Sequence, residues 1–262
     1  DGAIGEDEWT GARWIDGFAW QGALERRTAT GIIGATATHL YLAIRSQLPA
    51  EGELTTEVDR DTENLVFDDS IEVWIDPTLG QASGRRLQML ANAAGHRWYK
   101  MHAYGGLPDD PGWRGGWDVA CTTHDGVWDC EIGIPIEQIA PGRTATDGVW
   151  GINLCRNWKN PWAFSCLSGV EYKPTDVFSF TTDPAPAIRL LQRGVYFAGD
   201  VKPALVVTNP SARPLDLAAS LVLGRDLMPE LKQSEALHLA PGESRTLSIE
   251  AADVSTKRFE LV

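Results

Sequence analysis

The segment from Cys121 to Pro135, CTTHDGVWDCEIGIP, contains the strongest secondary-structure signal in the chain. Asp125-Gly126 lies between two alternating runs, and this dipeptide favours the two-residue turn of a β-hairpin. With Asp125 and Gly126 in the turn, Cys121 lies opposite Cys130 at a non-hydrogen-bonded site, where Cα atoms approach within disulfide range. The segment therefore predicts a β-hairpin that a disulfide can cross-link.

Similar short runs of β-branched and aromatic residues, bounded by Gly, Pro, Asp and Asn, recur along the chain. In 70–76, SIEVWID, apolar residues alternate with Glu72, Trp74 and Asp76, as in a strand with two different faces. Helical patterns are limited to 135–139 and 226–233. We therefore predict an all-β protein built on a two-sheet antiparallel β-sandwich. The predicted strands are two within 30–45, and 70–76, 97–104, 117–123, 127–135, 149–157 and 177–181.

The composition changes near residue 190. All 11 Trp lie between Trp9 and Trp162. Residues 1–190 contain 15 basic and 27 acidic residues, whereas residues 191–262 contain 8 basic and 9 acidic residues. A proline-containing segment, TDPAP at 182–186, has the character of a linker. We predict a first domain at 1–190 and a second, smaller immunoglobulin-like β-sandwich at 191–262. The second is shorter than the about 100 residues of such a fold, which indicates an incomplete sandwich; alternatively, its strands dock on the first sandwich.

The charge and hydropathy of the chain exclude two classes of partner. The 262 residues carry a net charge of -13, so no basic surface is expected for nucleic acid. No apolar run approaches the about 20 residues needed for a membrane span. Asp1 does not begin a signal peptide, so a secreted parent protein would have lost its leader before this chain begins.

The four cysteines permit three disulfide pairings. We favour Cys121 with Cys130, and Cys155 with Cys166, because a count around Asn160-Pro161 also places the second pair opposite each other. Two disulfides would imply an oxidising compartment, extracellular or periplasmic. Buried free thiols remain an alternative, whereas the spacing does not match a zinc site.

Motifs of hydrolases, nucleotide-binding proteins and metalloenzymes are absent from the sequence. Asp68 and Asp69, with Glu72 and Asp76, form its densest carboxylate group. Three interpretations stay open: solvated strand ends, structural calcium held by Asp68 and Asp69, and a catalytic carboxylate pair.

The tryptophans fall into two groups by position. Those in or beside predicted strands are expected in the core: Trp9, Trp74, Trp128 and Trp150. Those in connections rich in Gly, Pro and Asn either pack over the ends of the sandwich or stack on the apolar face of a sugar: Trp113, Trp117, Trp158 and Trp162.

Seven motifs, in this order, resemble the family 9 carbohydrate-binding modules and the wider DOMON-like sandwiches over about residues 1–183. The motifs are DGAIGEDEW, TATHLYLAIR, DDSIEVWID, QMLANAAG, DGVWDCEIGIPIEQI, VWGINLCRN and VFSF. The resemblance implies a non-catalytic β-sandwich that binds mono-, oligo- or polysaccharide. It also implies a secreted, multidomain, glycan-degrading parent protein whose other domains are partners, and structural calcium in some members.

The resemblance also nominates ligand-binding residues. The strand glutamate of the family is Glu72 here. Gln88 and Asn92 are the first and last residues of the QMLAN stretch. At the two aromatic positions of the family stand Val66, next to Phe67, and Phe164, near Trp162. Leu90 and Cys155 replace an arginine and a polar residue. The predicted ligand-binding set is Phe67, Glu72, Gln88, Asn92, Trp158, Trp162 and Phe164.

Three other functions are compatible with this sequence. A structural accessory domain would pack on a catalytic domain of the same parent. A haem-binding electron-transfer domain would draw axial ligands from Met89, Met101, His96 and His102 on neighbouring predicted strands. A hydrolase would need two carboxylates across a cleft, and no spacing in the sequence nominates them.

Overall fold

The computed structural model describes the chain except residues 6, 51, 80–83, 104–108, 110–114, 146–148, 174, 181–186, 192–203, 210, 225–230, 251–257 and 262. The described residues form 19 strands, a 3-10 helix at Glu63–Phe67 and one short α-helix, α1, at Ile136–Ile139. The prediction of an all-β protein is confirmed.

The first sheet contains β1 (Arg13–Asp16), β4 (Ala29–Ala35), β5 (His39–Gln47), β9 (Asp118–His124), β10 (Val127–Pro135), β14 (Ala187–Leu191), β15 (Ala204–Thr208) and β18 (Ser244–Ser248). Their spatial order is β18-β15-β14-β1-β4-β5-β10-β9. All these neighbours are antiparallel except β1 and β14, which pair in parallel.

The second sheet contains β2 (Ala19–Trp20), β3 (Ala23–Leu24), β6 (Ser70–Asp76), β7 (Arg85–Asn92), β8 (Arg97–Ala103), β11 (Val149–Trp158), β12 (Ala163–Cys166) and β13 (Asp176–Ser179). The order is β3-β2-β12-β11-β6-β7-β8, and β13 pairs with β11 beside this path. A third sheet, in the order β17-β16-β19, is formed by β16 (Leu215–Gly224), β17 (Leu231–Leu239) and β19 (Arg258–Leu261).

The main core lies between the first two sheets. Alternation along the strands supplies it: Ile71, Val73 and Ile75 of β6 join the core, whereas Glu72 and Trp74 occupy the other face of the strand. The burial predicted for the strand tryptophans is confirmed. Large buried members of this core include Phe18, Leu40, Leu42, Trp128, Ile132, Trp150, Leu154 and Trp158.

The C-terminal strands have a core of their own, which includes Leu205, Leu221, Leu239 and Leu247. These strands are also hydrogen-bonded to the first sheet, because β14 pairs with β1 on one side and with β15 on the other. The predicted boundary at residue 190 falls inside β14. The division into two domains and the immunoglobulin-like character of the second remain predictions.

The predicted strands of the first 180 residues are all present, with small shifts at their ends. The helix predicted at 226–233 is wrong over 231–233. These residues begin β17, and β17 pairs with β16. Residues 226–230 lie outside the described residues. No helix in the described ranges has the length and apolarity to cross a membrane.

The hairpin register and the first disulfide are confirmed. Cys121 pairs with Cys130 in the β9–β10 ladder, with a Cα–Cα distance of 4.1 Å and a disulfide between them. Asp125 and Gly126 have φ angles of 47° and 80°, as a type I′ turn requires.

The second predicted disulfide is wrong in this structure, although its register is right. Cys155 pairs with Cys166 in the β11–β12 ladder, yet both are buried free cysteines. The Cys166 thiol donates to the carbonyl oxygens of Ala19 and Glu171, each at 3.4 Å, and a side-chain hydrogen bond links Cys155 and Cys166. Hydrogen bonds therefore satisfy the thiols where a disulfide was expected.

Candidate functional site

The candidate site lies on the outer face of the second sheet, the face that points away from the main core. Alternate residues of β6, β11 and β12 share this face, because β-strand side chains alternate. Trp74, Cys155 and Cys166 pack there as a small separate cluster, with Trp20 and Tyr172 against it. The face therefore combines aromatic rings with buried polar groups.

Five rings form a continuous surface, here called the aromatic surface: Trp20, Phe67, Trp162, Phe164 and Tyr172. Trp162 meets Phe67 and Phe164 edge to face, with ring centroids 5.8 Å apart in both pairs. The ring centroid of Phe164 lies 5.5 Å from that of Trp20 and 5.3 Å from that of Tyr172. The centroids of Trp20 and Tyr172 are 4.6 Å apart. The structure thus brings together Phe67, Trp162 and Phe164, three residues nominated from the sequence.

Trp162 is the most exposed member, with 62% of its surface open to solvent, and Phe67 follows with 47%. The turn that carries Trp162 is held from several sides. Arg27 Nη1 donates to the carbonyl oxygen of Pro161 at 2.8 Å, and Asn160 Nδ2 donates to Thr55 Oγ1 at 3.2 Å. An exposed indole on a fixed turn is a rigid contact surface.

A cleft of about 490 Å³ opens beside Trp162. Glu25, the charged residue in its lining, has its Oε1 fixed by the backbone N–H of Arg27 at 3.1 Å and by Arg27 Nε at 2.9 Å. The cleft therefore presents aromatic walls and one oriented carboxylate. Its lining residues are Trp20, Ala23, Leu24, Glu25, Trp162, Ala163 and Phe164.

Glu72 and Gln88, also nominated from the sequence, meet in a buried polar cluster. Glu72 Oε1 accepts from Trp74 Nε1 at 2.6 Å and from Gln88 Nε2 at 2.7 Å. Burial raises the pKa of Glu72 to about 7, against the opposing effect of these hydrogen bonds. Glu72 Oε2 and the Tyr172 hydroxyl are buried with no hydrogen-bond partner among the described residues. Glu72 is thus shielded from solvent instead of lying open on the sheet.

His102 completes the buried polar cluster. Its Nε2 lies 2.9 Å from Gln88 Oε1, and its ring stacks on Trp74 with centroids 5.0 Å apart. Burial lowers the pKa of His102 to about 4, although Asp109 acts in the opposite direction. The imidazole is therefore neutral at physiological pH.

Trp158 and Asn92 are not on the accessible surface, contrary to the prediction. Trp158 belongs to the main core, and its Nε1 donates to Ser165 Oγ. Asn92 is buried, and its side chain closes the β7–β8 turn by accepting from the N–H groups of Ala94 and His96. Its amide also donates to Asp68, so both ends of the side chain have structural partners. Trp117 is buried as well, and Trp113 lies outside the described residues.

Asp68 and Asp69 do not fit a calcium site. Asp68 accepts from the backbone N–H groups of Glu57 and Val58. Asp69 accepts from Thr55 N, Lys159 N and Arg156 Nη2, so nitrogen donors occupy both carboxylates. No group of three or more His, Cys, Asp or Glu side chains suited to a metal occurs in the described part of the chain. The two aspartates anchor the 55–58 segment instead.

The haem alternative lacks a ligand pair. Met89 and Met101 pack with the main core, whereas His102 stacks on Trp74 on the opposite face of the sheet. His96 lies 3.5 Å from Asp61 beyond the end of β7. Met89 and Met101 therefore lie on the face of the sheet opposite to His102.

Comparison with known proteins gives matches only among solved structures: no protein-family model and no curated protein sequence matches the chain. One similar structure is a proposed carbohydrate-binding protein from Bacteroides uniformis, with 12% identity and a TM-score of 0.48 over 63% of this chain and 84% of that one. Another is a family 9 carbohydrate-binding module from Caldicellulosiruptor kristjanssonii in complex with glucose, with 14% identity and a TM-score of 0.44 over 63% and 78%. A family 9 module from the same organism, in complex with cellotriose, has 13% identity and a TM-score of 0.41 over 63% and 76%.

Sequence reasoning missed Trp20, Glu25 and Tyr172. Trp20 and Glu25 belong to the β2–β3 region, whose strands of two residues each carry no periodicity to read. Tyr172 lies in a loop, and its place beside Glu72 depends on tertiary packing. One sequence pattern did indicate the buried polar cluster. The alternation in β6 puts Trp74 on the same face as Glu72, and in the structure the two side chains are in contact.

Proposed function

We propose that this chain is a non-catalytic carbohydrate-binding module, and that the aromatic surface is where the sugar stacks. The observation that carries the proposal is Trp162, whose indole is 62% exposed on a turn held by Arg27 and Asn160. Exposed apolar area costs about 25 cal/mol per Å² relative to burial. Such a ring is retained most simply where a ligand covers it.

A pyranose suits this surface. The axial C–H groups of a sugar ring form an apolar face that packs on an indole, while its hydroxyls need polar partners at the rim. Phe67 and Phe164 hold the Trp162 ring edge to face, and Glu25 supplies an acceptor beside it. An apolar wall with one oriented polar group is the usual composition of a small-ligand site.

The positions of the carboxylates favour binding over catalysis. Asp68, Asp69 and Glu72 are all buried, and each accepts hydrogen bonds from neighbouring side chains or backbone. Glycoside hydrolysis needs two carboxyl groups that both reach the scissile bond. The carboxylates nominated from the sequence are instead used to hold loops and strands.

The compartment and the parent protein belong to the same proposal. The Cys121–Cys130 disulfide supports an extracellular or periplasmic location, because such bonds persist in oxidising compartments. We propose that the parent is a secreted, multidomain, glycan-degrading protein to which this module brings the substrate.

The proposal is tested by isothermal calorimetry and tryptophan fluorescence with glucose, galactose, mannose, xylose and their β-1,4-linked oligomers. We expect at least one of them to bind, and Trp162→Ala to weaken that binding at least tenfold. Tyr41→Ala is the matched control, because Tyr41 is an exposed aromatic residue of β5 in the other sheet. Silence across the panel, extended to insoluble polysaccharides, would overturn the proposal and favour a structural accessory domain.

A further inference from the structure

Phe67 meets Trp162 edge to face and is not part of the lining of the cleft beside Trp162. The two rings are nearly perpendicular, at 88°, with centroids 5.8 Å apart. This is the geometry of aromatic rings in direct contact, for which centroids lie about 4.5–7 Å apart. A sugar held between two aromatic planes needs roughly parallel rings with space between them. The Trp162–Phe67 pair, like the Trp162–Phe164 pair at 82°, therefore leaves no slot between parallel rings for a sugar.

A sugar ring has room instead in the cleft beside Trp162. The cleft of about 490 Å³ lies between Trp162 and the short strands β2 and β3, and its volume falls within the about 300–1,000 Å³ of small-ligand pockets. Trp20 and Phe164 line it, and Leu24 adds apolar surface. A ring that enters here would stack on aromatic side chains and reach Glu25.

Arg27 joins the two walls of this cleft. Its backbone N–H and Nε fix Glu25 Oε1 on one wall. Its Nη1 donates to the carbonyl of Pro161, the residue before Trp162, on the other wall, and its guanidinium lies 4.3 Å from the centroid of the buried Trp158 ring. The carboxylate and the exposed indole are therefore held in a fixed relation, which lowers the entropic cost of binding.

The charge in the cleft indicates the class of sugar. Glu25 is the charged side chain that lines the cleft among the described residues, and it forms an ion pair with Arg27, whose Nε lies 2.9 Å from Glu25 Oε1. A carboxylate accepts strong hydrogen bonds from hydroxyl groups but repels another carboxylate. A neutral, hydroxyl-rich ring suits this cleft, whereas the carboxylate of a uronic acid would lie beside Glu25, whose cationic partner Arg27 is already paired.

We infer that the cleft between Trp162 and β2–β3 is the sugar subsite, that Glu25 is its specificity-determining anchor held by Arg27, and that it selects neutral sugars over uronic acids. The inference rests on the proposed function and specifies where, and with which chemistry, that function is carried out.

The test measures the affinities of glucose and galactose, and of glucuronic and galacturonic acid as their anionic counterparts, for four variants. Glu25→Gln removes the charge at constant shape, and Ala23→Phe fills the cleft. Phe67→Ala alters a Trp162 contact outside the cleft lining, and Tyr41→Ala is the control. Thermal melting of each variant establishes that it is folded.

We expect Glu25→Gln to weaken the binding of the neutral sugar about tenfold, since a hydrogen bond to a charged group is lost. The same substitution should improve the affinity for the uronic acid relative to the neutral sugar. Ala23→Phe should abolish binding, whereas Phe67→Ala removes one edge contact of Trp162 and should weaken binding less than Ala23→Phe does.

The outcomes separate the inference from the proposed function. If the wild-type chain binds none of the panel of neutral sugars, the proposed function itself fails. If it binds, but Phe67→Ala removes binding and Ala23→Phe does not, the cleft is wrongly assigned. If binding persists in Glu25→Gln with an unchanged preference between neutral and anionic sugars, Glu25 does not determine specificity.

Discussion

The guanidinium of Arg156 lies 4.1 Å from the centroid of the Trp158 ring, and both side chains are fully buried. Trp128 also stacks on Arg156, at 4.7 Å, and Arg156 Nη2 donates to the buried carboxylate of Asp69 at 2.9 Å. A buried cation is tolerated when it is paired and lies against aromatic faces. Burial lowers the pKa of Arg156 to about 10, against the opposing effect of Asp69. This stack supports the end of β11, from which the turn carrying Trp162 begins.

Arg156→Met is expected to destabilise the fold by about 3–5 kcal/mol, because it leaves the Asp69 carboxylate buried without its cationic partner. Urea denaturation followed by circular dichroism measures the free energy of unfolding. Arg60→Met is the control: Arg60 is exposed, and its substitution should change stability by about 0.5 kcal/mol or less. Equal effects of the two substitutions would show that the buried pair contributes nothing.

Glu72 should make the protein less stable as the pH rises. Burial raises its pKa to about 7 in the folded chain, whereas a carboxyl in an unfolded chain titrates near about 4.3. The folded state therefore holds the proton more tightly, and its stability falls between about pH 4 and pH 7 and then levels off.

Glu72→Gln should remove this loss, since an amide oxygen can still accept from Trp74 and Gln88. We expect the substitution to raise the free energy of unfolding, relative to the wild type, by about 2–3 kcal/mol more at pH 8 than at pH 5. Urea titrations at the two pH values measure the difference, and the exposed Glu53→Gln provides the control. The same gain at both pH values would mean that Glu72 is ionised in the folded protein throughout this range.

His124 and Asp129 form a second pH-dependent pair, which also secures the N-terminal segment. His124 Nε2 lies 2.9 Å from Asp129 Oδ2, and Asp129 also accepts from Arg45 and from the backbone N–H of Ile4. The hydrogen bond to Asp129 raises the pKa of His124. Burial raises the pKa of Asp129, but the hydrogen bonds from Arg45 and His124 outweigh it, so the pKa is lowered overall.

The two shifts act at opposite ends of the pH range. The contribution of His124 is complete below about pH 6.5 and is lost as the pH rises through its raised pKa. The contribution of Asp129 is present above about pH 3.9 and is lost as the pH falls through its lowered pKa. His124→Gln should therefore flatten the decline of Tm above pH 6.5, whereas His39→Gln should not. An NMR titration that gives His124 a pKa below 6.5 would contradict this expectation.

Thiol counting should distinguish the two cysteine pairs. Cys155 and Cys166 are buried free thiols, whereas Cys121 and Cys130 are joined. Burial raises the pKa of Cys155, and the hydrogen bond from Cys155 lowers the pKa of Cys166 to about 7. We expect Ellman's reagent to detect no thiol in the native chain, two after denaturation and four after reduction as well. Fewer than two in the denatured, unreduced chain would show that the second pair is also oxidised.

Local sequence patterns were sufficient for the strands and for the registers that place Cys121 opposite Cys130 and Cys155 opposite Cys166. The turn residues Asp125 and Gly126 need positive φ angles, and two-residue turns leave no freedom in pairing, so the position of Cys121 opposite Cys130 follows from the sequence. The alternation in β6 likewise assigned Ile71 to the core and Glu72 to the other face, because the β-strand repeat of two is a property of the backbone.

Tertiary structure decided which of the nominated side chains meet and which remain accessible. Trp158 ends β11 and Trp162 lies four residues later in the turn that follows, yet Trp158 is buried beneath Arg27 and Arg156 whereas Trp162 is exposed. The environment of each depends on segments distant in sequence, including Arg27 and Asp69. Composition and alternation thus determined an acidic, all-β sandwich with aromatic connections. Packing between distant segments determined the cleft, the buried charges and the free thiols, because burial and hydrogen-bond partners are set by contacts that no local pattern contains.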